Sequence, residues 1–366
     1  MKTIPLWVIP FIVLYCRPGL AETNLTLYGV VDMGIASKHV RGPDAGKQKI
    51  TGITSGGLSD SLIGIKGQEA LANGWSANFQ LESLFDGTTG ELSDTDRFFS
   101  NAAWLGMANE QLDEFRLGRQ HTVGQEFGSA LEVASWKEMG MGSTFKASDN
   151  YSVNNSVNYL SPSWGGFRLG ASYSFDVLGD QRSGQKSPSY SLAAQYERGP
   201  LTIVATWDKT LLSDTALADA QNPEALQLGA SYDFDIAKIS AAWSRQKNGY
   251  AGLNGGDPDE LGLGLGAAEF ARGGRLDAYL LGLAVPVGAN GTVVAQWSLV
   301  KPNWQWADGE KASNGQVATL GYIHQLSPRT SVYAMAGVAK RYSLDDQIVQ
   351  GQGTTTQYMA GINHQF

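Results

Sequence analysis

Apolar and polar positions alternate with a period of two along most of this chain, in segments of about ten residues separated by turn-forming residues. From Leu25 to Ile35, Leu25, Leu27, Val31, Met33 and Ile35 fall on one face, with Thr26, Tyr28 and Asp32 on the other. The same dyad sets Leu201, Ile203, Ala205 and Trp207 against Thr202, Thr206 and Asp208, and Leu226, Leu228, Ala230, Tyr232 and Phe234 against Gln227, Ser231 and Asp233. It predicts sixteen strands, starting near residues 25, 58, 74, 98, 114, 152, 166, 188, 201, 224, 237, 275, 291, 315, 331 and 354. Short turns such as Asn109–Glu114 and Arg198–Pro200 alternate with long connections near 38–57, 87–97, 121–150, 177–187, 212–223, 247–274, 301–314 and 343–353. Strict alternation puts all turns at one end and all loops at the other, as in an up-and-down antiparallel barrel. The last strand, ending at Phe366, would be sealed against the first.

A soluble sandwich with its apolar face inward shows the same dyad. Sixteen strands would then need two domains, yet no linker or composition shift divides the chain. Aromatics also fall near strand ends, at Tyr28, Trp104, Phe167, Phe175, Trp207, Tyr232, Phe234, Trp243, Trp297, Tyr322 and Phe366. Indole and phenol rings favour the headgroup level of a bilayer, so the pattern predicts an all-β transmembrane barrel. No stretch after residue 21 is long enough to span as a helix; the longest apolar segment, Tyr279 to Ala289, carries Pro286.

The first residues set the expected compartment. Lys2, the apolar stretch Ile4 to Tyr15 and the small residues around Gly19-Leu20-Ala21 read as a signal peptide over residues 1–21, leaving a barrel over 22–366. The one cysteine, Cys16, lies inside the leader behind bulky Tyr15, which argues against a lipidated N-terminus. The remaining chain has no thiol for disulfide, metal or redox chemistry. Without Lys2 and Arg17 it holds 25 basic and 35 acidic residues, a net charge of −10 that excludes nucleic acid as a natural partner.

Other chemistry is thin. His39, His121, His324 and His364 are scattered singly, with no partner at i+4 for a zinc site. Gly262-Leu263-Gly264-Leu265-Gly266 imitates part of a dinucleotide loop, but inside a long loop of an all-β pattern it reads as a flexible tip. Asp257, Asp259 and Glu260 read as a solvated or cation-bridged rim, and no Gly-x-Ser-x-Gly elbow occurs. No cofactor and no catalytic residue is implied.

Leu27-Tyr28-Gly29-Val30-Val31-Asp32 resembles the opening strand of the outer-membrane trimeric porins of β-proteobacterial type. Ile63-Gly64-Ile65-Lys66-Gly67, Phe79-Gln80-Leu81-Glu82, Leu117-Gly118-Arg119-Gln120 and Asn155 to Pro162 with Gly166-Phe167 agree with it, and Phe366 matches the family's assembly signal. The resemblance covers residues 25 to 366. It implies a homotrimer in outer-membrane lipid and sixteen-stranded barrels whose third long loop folds inward. Here that loop is Gln120 to Asp149, with a short helix over Gly124–Ala134, acceptors Glu126, Glu132 and Glu138, and apolar residues Phe127, Leu131, Val133, Trp136, Met139 and Met141 that would be wasteful in water.

Opposite the loop, such porins carry arginines on three neighbouring strands; this chain has Leu62, Asn101 and Ser152 there. Lys66, Arg116, Arg119 and Arg168 remain, the first, second and fourth in the lumen by parity if Ile65, Leu117 and Leu169 face lipid. Asp32 and Glu82 complete the expected lumen and constriction set. The expected function is a water-filled channel for passive diffusion of ions and small hydrophilic solutes. A solute-selective pore, with Trp136 offering an aromatic face, is the alternative within transport. A barrel enzyme would need a nucleophile and base on one face, and an adhesin would work through its outer loops.

Overall fold

The computed structural model describes residues 23–42, 46–146, 152–177, 186–213, 219–250, 266–342, 344 and 350–366. The predicted leader at 1–21 with Cys16, the acidic rim at Asp257, Asp259 and Glu260, and all but Gly266 of the glycine-rich tip lie outside these residues.

One antiparallel sheet holds β1 (Thr23–Gly42), β2 (Gly46–Ser55), β3 (Leu62–Ala70), β4 (Trp75–Leu84), β5 (Ala102–Asn109), β6 (Asp113–His121), β7 (Ser152–Leu160), β8 (Phe167–Ser174), β9 (Ser189–Arg198), β10 (Leu201–Thr210), β11 (Glu224–Asp233), β12 (Lys238–Lys247), β13 (Arg275–Val287), β14 (Gly291–Pro302), β15 (Gly315–Ser327), β16 (Thr330–Lys340) and β17 (Thr354–Gln365). It closes because β17 pairs with β1, from Val30↔Gln365 to Arg41↔Thr354. At the seam Phe366 N donates to Gly29 O at 3.0 Å and Gly29 N to Phe366 O at 3.2 Å. The Phe366 ring lies where a Cβ on Gly29 would stand. The helices α1 (Val123–Gly128) and α2 (Ala268–Ala271) are both in connections.

Seventeen segments make sixteen walls. The first half of β1 pairs with β3 (Thr23↔Glu69 to Val30↔Leu62) and the second half with β2 (Met33↔Ser55 to Gly42↔Gly46). β2 and β3 are thus two pieces of one wall, broken at 56–61. This corrects the loop expected over 38–57. Lys38, Arg41, Lys47 and Lys49 give that stretch a loop-like polarity, but Val40, Ile50, Thr51 and Ile53 are β-branched and pair across the hairpin.

The break wraps around Asp32, whose side chain has no solvent exposure. Asp32 Oδ2 accepts from Leu58 N at 2.9 Å, Ser59 N at 3.2 Å and Asn363 Nδ2 at 2.9 Å, and Oδ1 from Tyr333 OH at 2.6 Å. Gly56, with φ +80°, turns the chain into the break. Asp32 keeps the inward parity expected of it, with its carboxylate taken up in a structural knot between β1, β16, β17 and the 56–61 break. A buried carboxylate needs several donors, and these supply them.

The two faces of the wall settle its surroundings. Leu105, Leu117, Leu169, Leu192, Leu228, Leu281 and Leu320 are exposed on one face, while Ser189, Ser191, Thr206, Gln227, Ser240, Gln296 and Thr319 are buried on the other. That inversion of a soluble core is the mark of a barrel in lipid. Phe167, Phe175, Tyr232, Phe234, Tyr322 and Phe366 are exposed toward strand ends, as girdles require, while Trp297 is exposed at the middle of β14. Tyr28 and Trp104 are corrections, because they have the opposite parity: Tyr28 OH donates to Glu82 and Trp104 lies under Arg116.

Candidate functional site

On the β1 to β7 side, polar side chains form two connected groups. Tyr28 OH donates to Glu82 Oε1 at 2.6 Å, Gln80 Nε2 donates to both at 2.8 and 2.7 Å, and Asn101 Nδ2 donates to Glu82 Oε2 at 2.6 Å. Asn101 Oδ1 lies 3.2 Å from His121 Nε2, whose other nitrogen meets Gln125 of α1 at 2.5 Å. The chain of contacts runs from the wall to the helix.

The second group centres on Arg116. Its guanidinium pairs with Glu114 at 2.6 Å and Glu126 at 2.8 Å and lies 4.8 Å from the centre of the Trp104 ring. Two carboxylates share one cation, so the group carries net negative charge. Arg119 is spent on structure: it donates to Ser100 O at 2.6 Å, Ser152 O at 3.2 Å and Asn154 Oδ1 at 2.8 Å. Lys66 is exposed and sits 4.9 Å over Tyr28. Arg168 is 3.7 Å from Asp113 and 5.7 Å over Phe127. Ile65, Leu117 and Leu169 are exposed on the opposite face, so Lys66, Arg116 and Arg168 have the parity expected of them.

The segment Thr122 to Lys146 reaches the other half of the barrel. Thr122 caps α1 by accepting from Gln125 N at 3.2 Å and donates to Asp208 Oδ1 at 3.2 Å. Val123 N donates to Ser172 at 2.9 Å, Gly124 N to Ser191 at 2.8 Å, and Gly128 O accepts from Gln227 at 3.1 Å. Leu131 O accepts from Ser240, Met139 O from Thr319 at 2.7 Å, and Thr144 O from Gln246 at 2.9 Å. Lys137 pairs with Asp60 and donates its N–H to Gly57 O at 2.9 Å, which ties the segment to the 56–61 break. Every one of these strand partners has the parity opposite to the exposed leucines.

Hydrophobic contacts follow the same track. A Cβ added at Gly170, Gly282 or Gly337 would meet Val123, Val133, or Met139 and Trp136 respectively. The wall is thinned to glycine where the segment's large side chains sit. Phe127, Leu131, Trp136, Met139, Met141 and Phe145 are buried, Trp136 to 2% exposure. Trp136 therefore presents no open aromatic face, which removes the aromatic ground for the solute-selective alternative and leaves the replaced arginine positions as its other ground.

Glu132 stands apart from Arg116. Its Oε1 accepts from Met141 N at 2.7 Å, and loss of water around the carboxyl raises its pKa to about 7, the Met141 N–H acting in the opposite direction.

Residues 11–346 match the family described as Gram-negative porin. The chain belongs to the Gram-negative porins. This porin is 29% identical to an outer membrane porin protein of Bordetella pertussis, over 94% of this chain and 95% of that one. It is 28% identical to outer membrane porin protein 32 of Delftia acidovorans, over 95% of each. Among solved structures it resembles the anion-selective porin from Comamonas acidovorans, with TM-score 0.70 and 24% identity, covering 94% of this chain and 100% of that one. It is an outer-membrane channel for small solutes and makes or breaks no bond. Among its described residues no His, Cys, Asp and Glu cluster could hold a metal.

Three features of the porin's interior escaped sequence reasoning. The Asp32 knot joins residues far apart in the chain, and the His121 link depends on the helix α1 lying back against the wall. The glycine notches had a signal, since a glycine inside a strand weakens it and marks a close approach. Gly170, Gly282 and Gly337 share their strands' inward parity, which the alternation alone shows.

Proposed function

We propose that segment 121–149 of this porin folds inside the barrel and narrows the pore, leaving a passage against the β1 to β6 wall for ions and small hydrophilic solutes. The observation that carries this reading is the track of wall glycines filled by Val123, Val133, Trp136 and Met139. Deleting Gly124 to Met139 tests it: conductance in planar bilayers and the size limit for neutral polymers should both rise. Unchanged values would place the size limit elsewhere.

Charge preference follows from the opposed wall. Leu62, Asn101 and Ser152 stand where arginine-rich porins carry cations, Arg116 is shared by Glu114 and Glu126, and Arg119 is occupied by backbone and amide oxygens. Lys66, Glu82, Asn101, Arg116 and Glu126 then set the field in the passage, Glu132 adding a titrating charge and Arg168 standing beside Asp113. The porin should be less anion-preferring than arginine-rich relatives. Residues 1–21 act as the leader, and the long loops face outward. Copies assemble as a homotrimer, which the exposed Ile35, Ile53 and Tyr358, sharing the outward face of neighbouring β1, β2 and β17, support. Native mass spectrometry in detergent tests the trimer.

A further inference from the structure

A cluster of charge on the lipid-facing side of β10 to β14 has no part in conduction. Lys209, Arg245, Lys247, Arg275 and Lys301 share the parity of the exposed face, because Asp208, Ser244, Gln246, Leu276 and Val300 beside them are buried inward. Their backbones are in register: Lys209↔Glu224↔Lys247↔Arg275 in one row and Arg245↔Asp277↔Lys301 in the next. Strands lie about 4.8 Å apart, so the five cations occupy one compact patch.

Two carboxylates organise it. Asp277 binds Arg245 at 2.8 Å and Arg275 at 3.0 Å, and Glu224 is 3.8 Å from Lys247. Among the described residues Lys209 and Lys301 have no ion-pair partner, and Lys301 lies 5.2 Å over Tyr279. The patch therefore keeps an excess of three positive charges on a chain whose net charge is −8. The next outward-facing residues toward the barrel middle are Trp243 and Tyr279, which pair with each other. Indole and phenol rings sit at the headgroup boundary, so the cations stand one step beyond it, at the depth of headgroup phosphates.

We propose that this patch is a binding site for the phosphorylated headgroup of a lipid in the outer leaflet. Guanidinium groups engaged by Asp277 through their Nε keep terminal N–H donors for phosphate oxygens, and Lys209 and Lys301, which have no ion pair among the described residues, add charge at the rim. The leaflet rests on the reading that the long loops face outward.

The test uses the whole porin in nanodiscs of phosphatidylcholine carrying bis-phosphorylated lipid A or its dephosphorylated form. Native mass spectrometry should show retention of the phosphorylated form, with loss of about fivefold for each cation removed. K209Q/K301Q leaves no carboxylate stranded and serves if a variant including Arg275→Gln fails to fold. Conductance and reversal potential should not change in K209Q/K301Q, since both side chains lie outside the barrel. Equal retention by wild type and K209Q/K301Q, or of phosphorylated and dephosphorylated lipid, would overturn the site. Displacement by equimolar inorganic phosphate would make it a free-anion site and overturn the lipid assignment. Orientation is read separately, by labelling of Glu310→Cys on whole cells with a membrane-impermeant maleimide: labelling supports the outer leaflet, and none moves the patch to the inner one.

Discussion

Gly282 offers a clean test of the proposed constriction. The Cβ of Gly282→Leu would strike Val133 of the 121–149 segment, whereas the nearest wall atom, Ser240 Cβ, is 3.6 Å away and in ordinary contact. Gly170→Leu acts likewise on Val123, whose Cβ would be 2.8 Å from the new one. Overpacking of this kind costs about 1–3 kcal/mol per site. The segment is also held by hydrogen bonds to Ser172 and Ser191 and from Gln227, Ser240, Gln246 and Thr319, each worth about 0.5–1.5 kcal/mol net. One substitution should therefore loosen the segment at one point, seen as added current noise and a modest rise in conductance. The double variant removes about 2–6 kcal/mol and should displace the segment's first half, raising both conductance and polymer exclusion size. Each tenfold change in the docked population corresponds to about 1.4 kcal/mol, so single and double variants should differ by roughly an order of magnitude or more in time spent open. The assay is single-channel recording of refolded protein in planar bilayers, with heat-resistant migration as the folding control. Folded double variants with wild-type conductance and exclusion would refute the reasoning, because Val123 and Val133 would then not border the limiting section.

Asn101→Arg should pair with Glu82, the present acceptor of the Asn101 amide at 2.6 Å, and move the reversal potential under a salt gradient toward anions; at a few ångströms and an effective dielectric near 20, unit charges interact by about 4 kcal/mol, so no shift would mean residue 101 lies off the ion path. Glu132 has a folded pKa of about 7, above its ordinary carboxylate value, so the folded form holds the extra proton between the two and stability of segment docking falls as pH rises through 7. Current noise should rise in wild type as pH goes from 4.5, the ordinary carboxylate value, to about 7, level off above that, and lose this dependence in Glu132→Gln, which keeps an acceptor for Met141 N–H; an unchanged pH profile in the variant contradicts the assignment. Deleting Phe366 removes the two backbone seam hydrogen bonds to Gly29 and the ring beside it, whereas Phe366→Asp removes the ring alone and puts a charge in its place; in both, barrels should accumulate unfolded in the periplasm, and normal amounts of heat-resistant protein in the outer membrane would count against this. Asp32→Ala strands the Tyr333 hydroxyl, the Asn363 amide and the Leu58 and Ser59 N–H groups, at about 1–3 kcal/mol for each that stays buried, and should lower the thermal midpoint without moving ion selectivity.

The alternation of the chain determined the wall by itself. Period-two parity is a property of neighbouring residues, so it placed Lys66, Arg116 and Arg168 opposite Ile65, Leu117 and Leu169 without knowledge of any contact. Loop length likewise separated turn end from loop end, except at 38–57, where lysines and an arginine disguised β-branched strand residues. Tertiary structure decided what each inward side chain meets. Alternation placed Asp32 on the inner face with the lumen set, but that Tyr333 and Asn363, 301 and 331 residues away in the chain, enclose it could not be read from it. Tyr28 and Trp104 were assigned to the girdle because aromatic residues near strand ends suit it, whereas Glu82 and Arg116 hold them on the inner face. Trp136 looked available until its docking against Gly337 buried it. The deciding partner comes from barrel closure for Asp32, from the nearby strands β4 and β6 for Tyr28 and Trp104, and from docking of the loop segment on the wall for Trp136; a local repeat carries no information about which side chain of another strand or loop will lie across from it.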